Sequence, residues 1–69
     1  MKIEPGKIYV TRDGTLHVRC RRDRGKGNKS WRMECEILDG KTNPLTYRTF
    51  HGRLTGHVNT DLDLVAEVS

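Results

Sequence analysis

A two-residue hydropathy period recurs in three separate stretches of this chain and limits its folding more than any other feature. In residues 15–21 the apolar side chains are Leu16, Val18 and Cys20, with polar residues between them. Residues 31–37 alternate through Trp31, Met33, Cys35 and Ile37, and residues 61–68 through Leu62, Leu64, Ala66 and Val68. Successive side chains of a strand point to opposite faces, so each stretch predicts a half-buried β-strand. No window carries a comparable 3.6-residue stripe, and no helix is expected.

The turns between these stretches set the expected pairings. Ile8 and Val10 precede Arg12-Asp13-Gly14, and Leu16 and Val18 follow it. A two-residue turn at Asp13-Gly14 pairs Val10 with His17, apolar against polar. A three-residue loop with a left-handed Gly14 pairs Val10 with Leu16 and Ile8 with Val18, and is preferred because it keeps the apolar residues on one face. The next strand is expected to run antiparallel, with Val18 opposite Cys35, Cys20 opposite Met33 and Arg19 opposite Glu34. Asp39-Gly40-Lys41-Thr42-Asn43-Pro44 reads as another turn. Leu45–Phe50 is a weaker fourth strand with apolar residues on both faces, and a final strand follows His51-Gly52-Arg53.

Five short strands in 69 residues predict one all-β domain covering residues 1–69, a small five-stranded antiparallel barrel, closed or nearly so. A chain this short buries only ~60% of its unfolded surface, so the core is thin. Its expected members are Ile8, Val10, Leu16, Val18, Cys20, Trp31, Met33, Cys35, Ile37, Leu62 and Leu64. No stretch approaches the ~20 apolar residues of a membrane span, and Met1-Lys2-Ile3-Glu4-Pro5-Gly6 does not resemble a signal peptide. With two cysteines, far below the density of a secreted scaffold, a reducing cytoplasm is the expected compartment.

Thr11-Arg12-Asp13-Gly14, the Val18-x-Cys20 strand, the midway Asp39-Gly40 turn and Asp61-Leu62-Asp63-Leu64-Val65 together resemble a pattern of small phage- and prophage-encoded proteins. The resemblance spans nearly the whole chain. It implies an SH3-like barrel and the cytoplasm of a bacterial host, and it brings no established activity and no functional residues. The long arginine-rich stretch and the Gly25-Lys26-Gly27 loop depart from that pattern.

Catalytic and metal chemistry find little support. His17 and Cys20 have an H-x-x-C spacing, with Cys35, His51 and His57 further on, but strand positions 17 and 20 face opposite ways and no C-x-x-C pair is present. Both thiols are expected in the core, diagonal to one another, unreactive and without a disulfide. Asp61 and Asp63 share a strand face and read as solubilising charge. Gly25-Lys26-Gly27-Asn28-Lys29 lacks the spacing of a nucleotide-binding loop. No enzyme activity, cofactor, metal or small-molecule substrate is expected.

Charge distribution carries the positive expectation. The net charge is +4, and the stretch from 19 to 32 holds Arg19, Arg21, Arg22, Arg24, Lys26, Lys29 and Arg32 against Asp23 alone. Such a face suits a phosphate backbone, with glycines letting the loop adapt, and predicts a non-enzymatic nucleic-acid-binding module. The alternative is a phage-encoded accessory protein that docks on an acidic host protein and modulates it. A small virion or assembly component is a third role. DNA and RNA are not distinguished, and the pattern dictates no oligomeric state.

Overall fold

The computed structural model describes residues 1–56 and 58–68. They form an all-β fold: β1 (Ile8–Thr11), β2 (His17–Asp23), β3 (Met33–Ile37), β4 (Leu45–Arg48) and β5 (Leu64–Glu67), with a 3-10 segment at Lys26–Trp31 between β2 and β3. The strands make one antiparallel sheet in the order β4-β3-β2-β1-β5. Among the described residues no helix is long and apolar enough to cross a membrane.

The sheet is not closed into the expected barrel, since β4 and β5 remain its two edges. Loop backbone partly spans the gap: Leu64 N–H donates to Gly52 O (2.8 Å) and Ile3 N–H to Phe50 O (3.1 Å). Gly52 has φ +86°, and a Cβ there would meet Leu64 O at 3.1 Å and Ile3 Cγ2 at 3.2 Å, so glycine is what allows this close crossing.

The core consists of Ile3, Tyr9, Val18, Cys20, Met33, Cys35 and Leu64, with Leu16, Ile37 and Phe50 packed against it. Ile8 and Val10 are not its centre as expected. The observed register pairs Tyr9 with Val18 and Val10 with His17, the pairing disfavoured on hydropathy. Tyr9 and Thr11 turn inward because their polar tips find partners. Tyr9 Oη accepts the Glu4 N–H (2.8 Å), and Thr11 Oγ1 donates to Asp13 Oδ1 (2.8 Å). Burial raises the Tyr9 pKa, which keeps the phenol neutral. Asp13 also accepts from the backbone N–H and hydroxyl of Thr15, which hold its carboxyl below the usual range.

Between β2 and β3 the faces are as expected but the partners differ by two residues. Cys20 lies directly opposite Cys35, Val18 opposite Ile37 and Arg19 opposite Glu36. A shift of two preserves every inward side chain, so hydropathy does not distinguish the registers. Both thiols are buried and free. Hydrogen bonding with Cys20, then burial, raises the Cys35 pKa, so this thiol stays protonated.

Strand β4 is inverted relative to its hydropathy. Thr46 opposes Cys35 and Arg48 opposes Met33, which places Thr46 and Arg48 on the core side. Arg48 is fully buried; its Nε donates to Leu62 O (3.1 Å) and its Nη1 to Tyr47 O (2.8 Å). Desolvation lowers its pKa, and the carbonyls provide the hydrogen bonds a buried guanidinium requires. Leu45 and Tyr47 consequently face outward. Leu62 lies in the turn before β5 and is partly exposed, while Ala66 and Val68 are exposed rather than inward.

Candidate nucleic-acid interface

The outer face of the sheet begins as a charge ladder. A bulge between Cys20 and Arg22 brings both Arg21 and Arg22 toward Glu34. Arg22 Nη2 lies 3.2 Å from Glu34 Oε1, Arg21 Nη1 3.6 Å from Glu34 Oε2, and Arg19 Nε donates to Glu36 Oε1 at 2.9 Å. Arg21 also reaches Glu36 (3.9 Å). Arg19, Arg21 and Arg22 therefore have carboxylates as neighbours, with exposed guanidinium groups over the largely buried Glu34 and Glu36.

Beyond β2 the chain leaves the sheet and the charge arrangement changes. Asp23 accepts both Arg32 Nε and Nη2 at 2.8 Å and the Gly25 N–H at 2.9 Å. The Arg32 guanidinium, then the Gly25 N–H, hold the Asp23 carboxyl down at about 2. Arg32 is further fixed over the Phe50 ring, 3.9 Å from its centroid. It belongs to the clamp that closes the base of the loop rather than to its open surface. Arg24 N–H donates to Arg32 O (2.7 Å) and Asn28 Nδ2 to Arg24 O (2.8 Å), so the loop between them is internally tied.

Among the described residues, no ion pair involves Arg24, Lys26 or Lys29. Arg24 Nη1 donates to Trp31 O (3.1 Å) and its guanidinium lies 5.4 Å from the Tyr47 centroid. Lys29, with φ 50° and ψ −113°, is the kink between two short 3-10 turns. A non-glycine residue in that conformation is strained by about 1–3 kcal/mol.

Trp31 corrects the expected core. Strand β3 starts only at Met33, because residues 26–31 wind into 3-10 turns and the strand alternation does not reach back to 31. Trp31 is 61% exposed and tilts over Tyr47 with ring centroids 5.2 Å apart. With Leu45, Thr46, Leu54 and Ser30 the two rings line a mostly apolar cleft of about 480 Å³. A second cleft of about 300 Å³ is lined by Lys26, Lys29, Arg32, Phe50 and His51, and Ser30 borders both.

The acidic C-terminal stretch has a structural part. Asp63 is buried and accepts from Leu54 N–H (2.8 Å), Thr60 N–H (3.1 Å), Thr60 Oγ1 (2.8 Å) and Arg12 Nη2 (3.4 Å). Burial works to raise its pKa, but these donors outweigh it and leave the carboxyl below its usual range. Asp61 is exposed. Asp63 thus ties Leu54 to Thr60, with Leu54 on the wall of the aromatic cleft, and is not the solubilising charge expected from sequence.

His17 is exposed on the outer face whereas Cys20 is buried on the inner one, so they do not converge; His57 lies outside the described residues. Sequence reasoning missed Tyr47, Leu45 and Trp31 as one surface. The alternation of Leu45 and Tyr47 with Thr46 and Arg48 points the apolar pair inward, so hydropathy held no signal for this surface. No protein-family model, curated protein or solved structure matches this chain.

Proposed function

We propose that this protein is a non-enzymatic nucleic-acid-binding module. The observation that carries the reading is the juxtaposition of Arg24, Lys26 and Lys29, which have no ion pair among the described residues, with the exposed Trp31 and half-buried Tyr47. Cations neutralise phosphates and release counterions, and aromatic faces take up bases whatever their sequence. Arg19, Arg21 and Arg22 extend the basic surface, with Glu34 and Glu36 tempering it. Arg32 supports the loop.

We further read the architecture as a half-open relative of SH3-like barrels, because the Gly52–Leu64 and Ile3–Phe50 backbone bonds bridge the region where a barrel would close. The proposed setting is the cytoplasm of a phage-infected or prophage-carrying bacterium, in keeping with the motifs at Thr11–Gly14 and Asp61–Val65. The accessory-protein reading is favoured by one observation, the position of β4 and β5 as the two edges of the sheet, of which β4 can accept a partner strand.

The test is binding of the purified protein to short single- and double-stranded DNA and RNA across a salt series. Micromolar or tighter affinity that falls steeply with salt supports the nucleic-acid reading. No binding at low salt, together with one stoichiometric protein captured from host lysate, favours the accessory reading instead.

A further inference from the structure

We infer that the ligand is a single strand, held by an unstacked base in the Trp31–Tyr47 cleft with its phosphate over Lys26 and Lys29. This inference rests on the nucleic-acid reading above and names the part of the ligand that each cleft receives.

Three observations carry it. First, the cleft between Trp31, Tyr47 and Leu45 holds about 480 Å³, inside the ~300–1,000 Å³ range of small-ligand sites, and its walls are mostly apolar. Trp31 is exposed on the 3-10 segment, and β4 turns Arg48 into the core and Leu45 and the half-buried Tyr47 outward, at the cost of burying a guanidinium. Second, the neighbouring cleft, itself mostly apolar, carries Lys26 and Lys29 on its lining and shares the Ser30 wall, so an apolar and an anionic group of one ligand fit side by side. A nucleotide combines both groups at short range. Third, Arg24 lies over the Tyr47 ring, 5.4 Å from its centroid, which puts a positive charge beside one of the two aromatic side chains of the cleft.

Duplex is disfavoured by the same geometry. Bases in a duplex are stacked and present only their edges, so their faces are hidden from Trp31 and Tyr47. A single strand leaves base faces free, and stacking on aromatic side chains tolerates every base.

Trp31 is the chain's sole tryptophan, so its emission reports on the cleft directly. The experiment titrates wild-type protein with an oligothymidine of about 12 nucleotides, within single-strand site sizes. The same titration is run with an abasic strand of equal length and with a duplex. The expected result is quenching of Trp31 by the oligothymidine and affinity at least ~10-fold tighter than for the abasic strand or duplex. Trp31→Ala is expected to lose ~10-fold or more, while Trp31→Phe keeps most of the affinity because its ring still stacks. Equal affinity for all three ligands with unchanged emission overturns the cleft assignment and leaves the basic-face reading standing. Absence of binding to any of them at low salt overturns both.

Discussion

Strand β2 and the loop that follows it are both rich in cations, yet their charges meet different surroundings. Arg19, Arg21 and Arg22 stand on a sheet whose next strand places Glu34 and Glu36 opposite them. Arg24, Lys26 and Lys29 stand on a loop that leaves the sheet, and β4, the strand that packs against it, has no carboxylate to offer. A flat sheet face brings charges from neighbouring strands to within about 5 Å, so strand cations are readily neutralised in place. A loop tied at its base by Asp23 and Arg32 keeps its cations apart from such partners. Basic residues contiguous in sequence can thus differ in how far they remain available to a polyanion.

The sharpest way to break this comparison is to reverse the loop charges. Lys26→Glu with Lys29→Glu is expected to weaken nucleic-acid binding roughly 100-fold at low salt, at ~10-fold per reversed charge. Thermal stability should stay nearly unchanged, because neither side chain is buried. A loss below about threefold in a binding isotherm, on the same physical scale, would place the working charge elsewhere.

Removing the opposing carboxylates sharpens it from the other side. Glu34→Gln with Glu36→Gln frees Arg19, Arg21 and Arg22 and is expected to tighten binding several-fold, with a steeper salt dependence. The cost in stability, read by urea unfolding, should be about 1–2 kcal/mol, since several weak pairs are lost together.

Lys29 links binding to strain. Lys29→Gly relieves the φ 50° conformation and is expected to stabilise the fold by about 1 kcal/mol while reducing binding by one cation. Calorimetry and the binding isotherm should therefore move in opposite directions, and a stability loss would show that the kink is not strained.

The smallest effect concerns acid. Asp23 is held at about 2 by Arg32 and the Gly25 N–H, and Asp63 is also held below its usual range. An ordinary unfolded Asp titrates near ~3.9, so the stabilisation from these carboxylates is complete above about pH 5. It then declines as pH falls through ~3.9 toward 2. Melting temperature should be level between about pH 5 and 8 and drop below about pH 4, with Asp23→Asn showing a shallower drop. An equally steep drop in Asp23→Asn would remove the clamp from the account.

Much of the strand layout was legible in the hydropathy. Val18, Cys20, Met33, Cys35 and Leu64 sit on the buried face that period-two alternation predicts. The glycine after Asp13 adopts the expected positive φ. What was not legible depends on polar groups that become satisfied only in three dimensions. Tyr9, Thr11, Arg48 and Asp63 are buried because a specific carbonyl, N–H or carboxylate awaits each of them, and hydropathy registers none of those partners. The basic face was legible as composition. Its division into a neutralised ladder, a clamp at Arg32 and an open loop required the register that opposes Arg19 to Glu36, two residues from the expected pairing. Trp31 escaped because local winding into 3-10 turns starts the strand at Met33, two residues later than the alternation implies.

The most direct test of the central claim is the salt dependence of single-strand binding for wild type, for Lys26→Ala with Lys29→Ala, and for Arg19→Ala with Arg22→Ala. Each phosphate neutralised on a single strand contributes a slope of about −0.7 in log affinity against log salt. The account predicts that the lysine pair flattens the slope by about 1.4 and the arginine pair leaves it nearly unchanged. The opposite assignment, with the arginine pair flattening the slope and the lysine pair leaving it intact, would contradict it.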